Sequence, residues 1–353
     1  MDQATIISIS ERRVRVDISG PWGSVPGSLR LPFKSGINPH VDTLQAQNID
    51  WAQNMELVEG DGVFADSVVR CQFDQLAALC HRKCSREALQ LITNCYTAIF
   101  AFDDMLDDAE SIIGSNPQLA RHVTAYLSAA VADEPRPELD AEVPGRERIV
   151  AVGNAYADVA RRLLAYTDRA GLRHYVAGMR DYFRGCVLES GLRNERPATV
   201  AEYSAVRLSC SAVYPTLDIG AIVDGLEVSD AVRRQPTFET MRVATNLCVS
   251  YVNDLFSYAK ESSAGESSNL VTVYERAYGM SLRKAMEAAM RTNDRIVGQY
   301  VTAKNRFVAY NGTGADTQGY MDIMEDWMRG NFDWYAEMRT RRYTDFLTTA
   351  IPA

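Results

Sequence analysis

Three features of this sequence predict an all-α fold, a single-domain helical bundle. From position 41 onward, apolar residues recur at spacings of three and four among good helix formers. Several of these periodic segments are long, and strand signals are almost absent. No internal repeat or shift of composition divides the helical part, so one bundle is the economical reading of a 353-residue chain.

Residues 1–40 carry much of the proline and glycine (PWGSVPGSLRLPFKSGINPH) and read as an irregular lead-in with one short strand near 12–18. Helices are predicted at 41–56, 64–82, 85–107, 116–132, 146–168, 170–191, 199–224, 237–262, 268–276, 280–306 and 315–337. DEPRPELDAEVPG (133–145), with three prolines and a run of acids, is a surface loop. ESSAGESSN (261–269) is small and polar and reads as a flexible loop. The helical domain spans 41–345, and 346–353 form a tail.

A net charge of −9 and a pI near 5.1 argue against general affinity for nucleic acid or anionic membrane. An anionic substrate would need local cations to overcome that field. No apolar run reaches the roughly 20 residues of a membrane span, and the N-terminus lacks the basic-then-apolar order of a signal peptide. Seven cysteines, an odd number without an export signal, suggest reduced thiols and a cytoplasmic protein.

Two polar clusters end apolar helical segments. In Asp103-Asp104-Met105-Leu106-Asp107-Asp108, the carboxylates of Asp103 and Asp107 share a helix face one turn apart. Like charges at that spacing repel unless water screens them or a cation bridges them. About 150 residues later, Asn253, Ser257 and Glu261 step by four through NDLFSYAKE. An amide, a hydroxyl and a carboxylate in one stripe form an all-oxygen donor set suited to a hard cation, or else the polar end of a buried helix. Arg207 stands in YSAVRLSCSAVYP, a stretch short of charge, where it needs an anionic partner. That partner is either a structural carboxylate or a phosphate, whose geometry a guanidinium fits. Lys260 and the pair Arg342-Tyr343 add further donors.

Together these residues resemble the motifs of the microbial class I terpene synthases (terpene cyclases). FDDMLDD is similar to that family's aspartate-rich motif, and NDLFSYAKE matches its Asn-Ser-Glu triad in every defining position. Arg207 falls where the family keeps a diphosphate-sensing arginine, and Arg342-Tyr343 matches its C-terminal Arg-Tyr pair. LPFKSGINPHV and WMRGNFDW are also typical, and the resemblance runs from about residue 30 to 345.

The resemblance implies a class I terpenoid synthase bundle around a central apolar pocket. It also implies Mg²⁺-dependent ionisation and cyclisation of an isoprenyl diphosphate, with farnesyl diphosphate the first choice and geranylgeranyl diphosphate the second. Asp103, supported by Asp107 and Asp104, would ligate metal, and Asn253, Ser257 and Glu261 would hold a second ion. A third would sit against the diphosphate, with Mn²⁺ as a substitute. Arg207, Asn253, Lys260, Arg342 and Tyr343 would bind the diphosphate, with Arg341 the alternative at the C-terminus. Cys210 and Ser211 occupy the linker and effector positions, where glycine is common at the second. Phe100 would face a carbocation, with Tyr96 and Trp334 also lining the pocket. A homodimer is compatible with the resemblance. A chain-elongating prenyltransferase would carry a second aspartate-rich motif in place of NDLFSYAKE, and a non-catalytic isoprenoid diphosphate carrier is the competing reading outside enzymes.

Overall fold

The computed structural model describes residues 12–58, 68–107, 117–192, 198–265 and 268–336. It opens on a β-hairpin rather than an irregular lead-in, β1 (Arg13–Gly20) pairing antiparallel with β2 (Gly23–Arg30). Alternation puts Val16, Ile18, Val25 and Leu29 on the buried face. The second strand contains Pro26 and Gly27, which argue against a strand in sequence. A two-stranded ribbon tolerates Pro26 because each strand has an unpaired edge. A Cβ on Gly27 would meet the Met290 thioether, a flexible side chain that would have to shift.

Apart from a short 3₁₀ turn (Val41–Thr43), the remaining elements are α-helices: α1 (Leu44–Asn54), α2 (Phe73–Cys80), α3 (Arg86–Asp107), α4 (Pro117–Ala130), α5 (Arg146–Leu163), α6 (Arg173–Leu192), α7 (Val200–Cys210), α8 (Val213–Val223), α9 (Asp230–Arg233), α10 (Pro236–Ser263), α11 (Leu270–Tyr278), α12 (Leu282–Asn311) and α13 (Ala315–Ala336). The chain is all-α in class. It forms two compact units, one from the described parts of Met1–Gly36, Glu195–Leu208 and Glu227–Ala353, the other from Ile37–Asn194 and Ser209–Leu226.

In the first unit α10 is the axis. It starts with Pro236 at its first turn, where no amide donor is needed, and packs against α12 and α13. The hairpin lies on the same unit: the Arg30 N–H and the Arg13 guanidinium both donate to Asp294 on α12, at 2.7 and 2.6 Å. Trp22, in the hairpin turn, meets the Tyr258 ring of α10 edge-on at 5.2 Å. Ser35 donates to Asp333 at 2.7 Å, and Asp333 also pairs with Arg329, so the LPFKSG and WMRGNFDW segments are tied together.

In the second unit α3 is the buried helix. Its start is fixed by Ser85, whose hydroxyl accepts from the Ala88 N–H at 3.2 Å. His81 is buried against it, its Nε2 2.6 Å from the Tyr96 hydroxyl. Burial lowers the His81 pKa from 6.5 to about 3. All seven cysteines are buried and none is bridged.

Two predicted helices are divided. The helix expected over 64–82 is broken at Gln72, which adopts a left-handed φ of 54° ahead of α2; residues 64–67 lie outside the described residues. The helix expected over 199–224 is split into α7 and α8 at Ser211-Ala212, where Ala212 has φ 57°. Pro215 is the cause, since it has no N–H to bond the Ser211 carbonyl and its ring collides with an unbroken ladder. By length and composition alone Val200–Val223 would qualify as a membrane span, against the expectation of none, with mean hydropathy 1.2. The break makes it two short helices, and 56% of that window is buried.

The break is packed closely from outside. A Cβ on Gly185 of α6 would come within 2.6 Å of the Ser209 carbonyl carbon, and one on Gly178 within 3.1 Å of the Pro215 ring. The two glycines lie on one face of α6 and let it approach the backbone at the break. Gly185→Ala is therefore expected to destabilise the protein by about 1–3 kcal/mol through overpacking. Urea unfolding with an unchanged midpoint would disprove this.

His81 sets an acid sensitivity. The folded state keeps it neutral down to about pH 3, while the unfolded chain protonates it below 6.5, so stability is present above that value and lost as pH falls. The expected contribution is about 1.4 kcal/mol per pH unit across that window. Denaturant titrations of His81→Gln should show a shallower loss of stability between neutral pH and pH 4.5 than the unmodified chain.

Candidate active site

The last turns of α10 leave the apolar core and carry the triad. Asn253, Ser257 and Glu261 lie on one face of the helix, as the spacing requires. Between them, Asp254 points into the unit and is fully buried. The Tyr203 hydroxyl donates to its Oδ2 at 2.6 Å, the Leu270 N–H donates to the same oxygen at 3.2 Å, and Arg207 Nη2 pairs with Oδ1 at 3.2 Å. Tyr203 and Arg207 are four residues apart on α7, so one helix face supplies both donors.

Arg207 is thus held by protein on its acidic side. The same Nη2 donates to Asn253 Oδ1 at 2.6 Å, and Asn253 Nδ2 donates to the Tyr335 hydroxyl at 2.7 Å. Tyr335 in turn stacks on Phe256, centroids 5.1 Å apart and rings nearly parallel. Arg207 therefore meets the expectation of a structural carboxylate partner. It makes a structural ion pair with Asp254, and it lies against the first member of the triad, with 15% of its side chain exposed.

Glu261 is the most electrostatically stressed member. Burial and the nearby charge of Asp254 raise its pKa from 4.5 to about 8, while Arg207, an Asn269 hydrogen bond and the Ser257 hydroxyl partly oppose this. Asn269 Nδ2 donates to Glu261 Oε2 at 2.8 Å and to the Asp254 carbonyl at 2.8 Å. Ser257 Oγ is buried and makes no hydrogen bond of normal geometry. A carboxylate short of positive charge beside a buried hydroxyl fits a hard divalent cation, which takes oxygen donors and offsets the charge. Lys260 is half-buried on the same helix. The same field acts on Tyr203: burial first, then Asp254, holds its hydroxyl protonated well above the ordinary range.

In the second unit, α3 carries Tyr96, Phe100 and Asp103. Phe100 is half-buried and stacks on Phe73, centroids 4.4 Å apart at 13°. Asp103 and Asp104 are half-buried at the acidic end of the helix. The charge of Asp103 adds to burial in keeping Tyr182 protonated. Tyr96 is buried and engaged with His81, and Trp334, in the first unit, is fully buried beside Tyr335. Cys210 is buried and Ser211 half-buried at the helix break, where the Val213 N–H donates to Ser211 Oγ at 3.5 Å. The Asp107 side chain, Arg341, Arg342, Tyr343 and the tail lie outside the described residues. The loop expected over 261–269 is shorter than predicted, because α10 continues to Ser263.

Residues 94–297 match the family model described as terpene synthase family 2, C-terminal metal binding. The chain belongs to that family. As a class I terpene synthase it has bacterial relatives along nearly its full length. It is 28% identical over 315 residues to a (+)-T-muurolol synthase that cyclises (2E,6E)-farnesyl diphosphate, from Roseiflexus castenholzii, covering 87% of this chain and 90% of the relative. Germacrene A synthase of Nostoc punctiforme is 23% identical, with 88% and 93% covered. The solved structure of germacradien-4-ol synthase from Streptomyces citricolor shares the fold, with TM-score 0.72, 22% identity and 87% and 97% of the two chains covered. The terpene synthase motifs recognised in sequence therefore sit in a chain of that fold. Asp254, Asn269, Tyr203 and Tyr335 were not singled out by sequence reading. The four-residue step from Tyr203 to Arg207 was the signal for one of them, Tyr203.

Asp254 should behave as a structural charge. Asp254→Ala leaves Arg207 without its buried counter-ion and is expected to cost about 3–5 kcal/mol. A loss below about 1 kcal/mol in urea unfolding would show that the pair does not hold the unit together.

Proposed function

We propose that this terpene synthase is a sesquiterpene cyclase that ionises farnesyl diphosphate, closes the chain into rings and releases diphosphate. The observation that carries this reading is the stripe on α10: a buried Ser257 hydroxyl between Asn253 and a charge-stressed Glu261, with Arg207 alongside. The choice of farnesyl diphosphate is supported by the relatives named for that substrate.

Asn253, Ser257 and Glu261 would hold one Mg²⁺, and Asp103 with Asp107 would hold others, three ions in all with Mn²⁺ as a substitute. When bound, these ions act as Lewis acids that offset the negative charge growing on the departing diphosphate. Arg207 supplies a preplaced guanidinium for phosphate oxygens, and its pairing with Asp254 fixes the direction from which it acts. Lys260, Arg342 and Tyr343 would add donors to the same group, and the carbonyl of Ser211, with Cys210 as its link to Arg207, would assist ionisation. After the C–O bond breaks, the allylic cation needs surroundings without a nucleophile. Phe100 offers an aromatic face, with Tyr96 and Trp334 as further apolar walls. His81 holds the Tyr96 hydroxyl in a hydrogen bond.

Incubating purified protein with Mg²⁺ and farnesyl diphosphate should release diphosphate together with a cyclic hydrocarbon or alcohol, detected by gas chromatography. Binding without diphosphate release would point to a carrier, and a longer diphosphate formed on adding isopentenyl diphosphate to a prenyltransferase. Turnover of geranylgeranyl diphosphate alone would replace the substrate. Asp103→Ala and Asn253→Ala should each lower kcat/KM by roughly 100-fold or more with circular dichroism unchanged. Near-native activity in either would show the metal ligands to be misassigned.

A further inference from the structure

Asn269 belongs to none of the motifs, yet its fully buried amide touches the site at two points. Its Oδ1 accepts from the Val271 N–H at 2.8 Å and caps α11. Its Nδ2 donates to the Asp254 carbonyl and to Glu261 Oε2, each at 2.8 Å. These contacts fix the amide's orientation, because a flipped group would turn its oxygen toward two acceptors and its NH₂ toward a donor. Capping needs only an acceptor, and serine or threonine serves as well. The two bonds from Nδ2 need a donor that reaches back across the gap between α11 and α10.

We propose that Asn269 is a positioning residue for the metal triad, its amide fixing the Glu261 carboxylate relative to the α10 backbone next to Asn253. A glutamate side chain loses rotamer freedom on ordering. The Asn269 bond orders it before any ion arrives. Its other bond, to the Asp254 carbonyl, refers that position to the residue following Asn253, so two triad members share one reference point. This rests on Glu261 being a metal ligand.

The test is Mn²⁺ affinity of the full chain in the presence of inorganic diphosphate, followed by electron paramagnetic resonance, alongside thermal unfolding. Asn269→Ser and Asn269→Thr keep the cap and lose the donor. They should bind Mn²⁺ roughly 10- to 100-fold more weakly, with a Tm within a few degrees of the parent. Glu261→Ala should lose affinity at least as strongly. Parent affinity in Glu261→Ala, or no Mn²⁺ binding by the parent, would overturn the ligand assignment and the proposal with it. A loss in Glu261→Ala with parent affinity in both Asn269 variants would overturn the proposal alone. Failure of both Asn269 variants to fold would make the residue part of the scaffold only, and would also overturn it.

Discussion

The first unit depends on one buried carboxylate. Asp254 is shielded from water and faces a tyrosine hydroxyl, a backbone N–H and a guanidinium. An isolated charge in such a place is costly enough that it would take up a proton or draw in water. Its partners therefore cannot move independently. Tyr203 and Arg207 fix α7, and Leu270 fixes the start of α11, all against the polar end of α10. Asn253 then inherits its place, because it precedes Asp254 on the same turn and accepts from the same Arg207 nitrogen. The order of causes runs from a desolvated charge to helix placement to the stripe of oxygen donors.

That arrangement also creates the site's electrostatic demand. Asp254 neutralises much of Arg207, and burial first, then the remaining field of Asp254, push the Glu261 carboxyl up to about 8. A protein that only needed a stable helix end would be better served by a neutral side chain there. In a chain with a net charge of −9, a second, half-buried acid beside Asp254 makes physical sense where a cation is to be bound. Ser257 supports the same conclusion from another direction, since its buried hydroxyl adds an oxygen donor on the same helix face. The interactions that shape the fold and those suited to the chemistry share Arg207 and Asn253.

Legibility in sequence followed the range of the interactions. Asn253, Ser257 and Glu261 were readable because a four-residue step on a helix determines a face regardless of tertiary structure. Arg207 was readable because charge is scarce around it. The all-α class and most helix positions came from the same local periodicity. Asp254 and Asn269 were not readable: their partners are set by where α11 starts, and an asparagine in ESSAGESSN has no local mark distinguishing it from loop polarity. The second hairpin strand was hidden because Pro26 and Gly27 carry a loop signature, and Met290, which packs against Gly27, lies far along the chain. Gln72 breaks a helix through a left-handed backbone that no propensity at that position favours.

The break between α7 and α8 shows where the backbone strain around Ser211 falls. Glycine is common there in the resembling family, and its usual justification is a conformation forbidden to other residues. Here the left-handed residue is Ala212, at φ 57°, and Ser211 is not among the positive-φ positions. The strain of about 1 kcal/mol thus falls one residue later, on a side chain small enough to tolerate it. Pro215 forces the break whatever stands at 211, because it withholds the helical donor from the Ser211 carbonyl. Gly185 then allows α6 to close on Ser209 and Cys210 and hold the interrupted backbone in place. Serine at 211 is therefore compatible with the helix break, since the features that set the break lie at 185, 212 and 215.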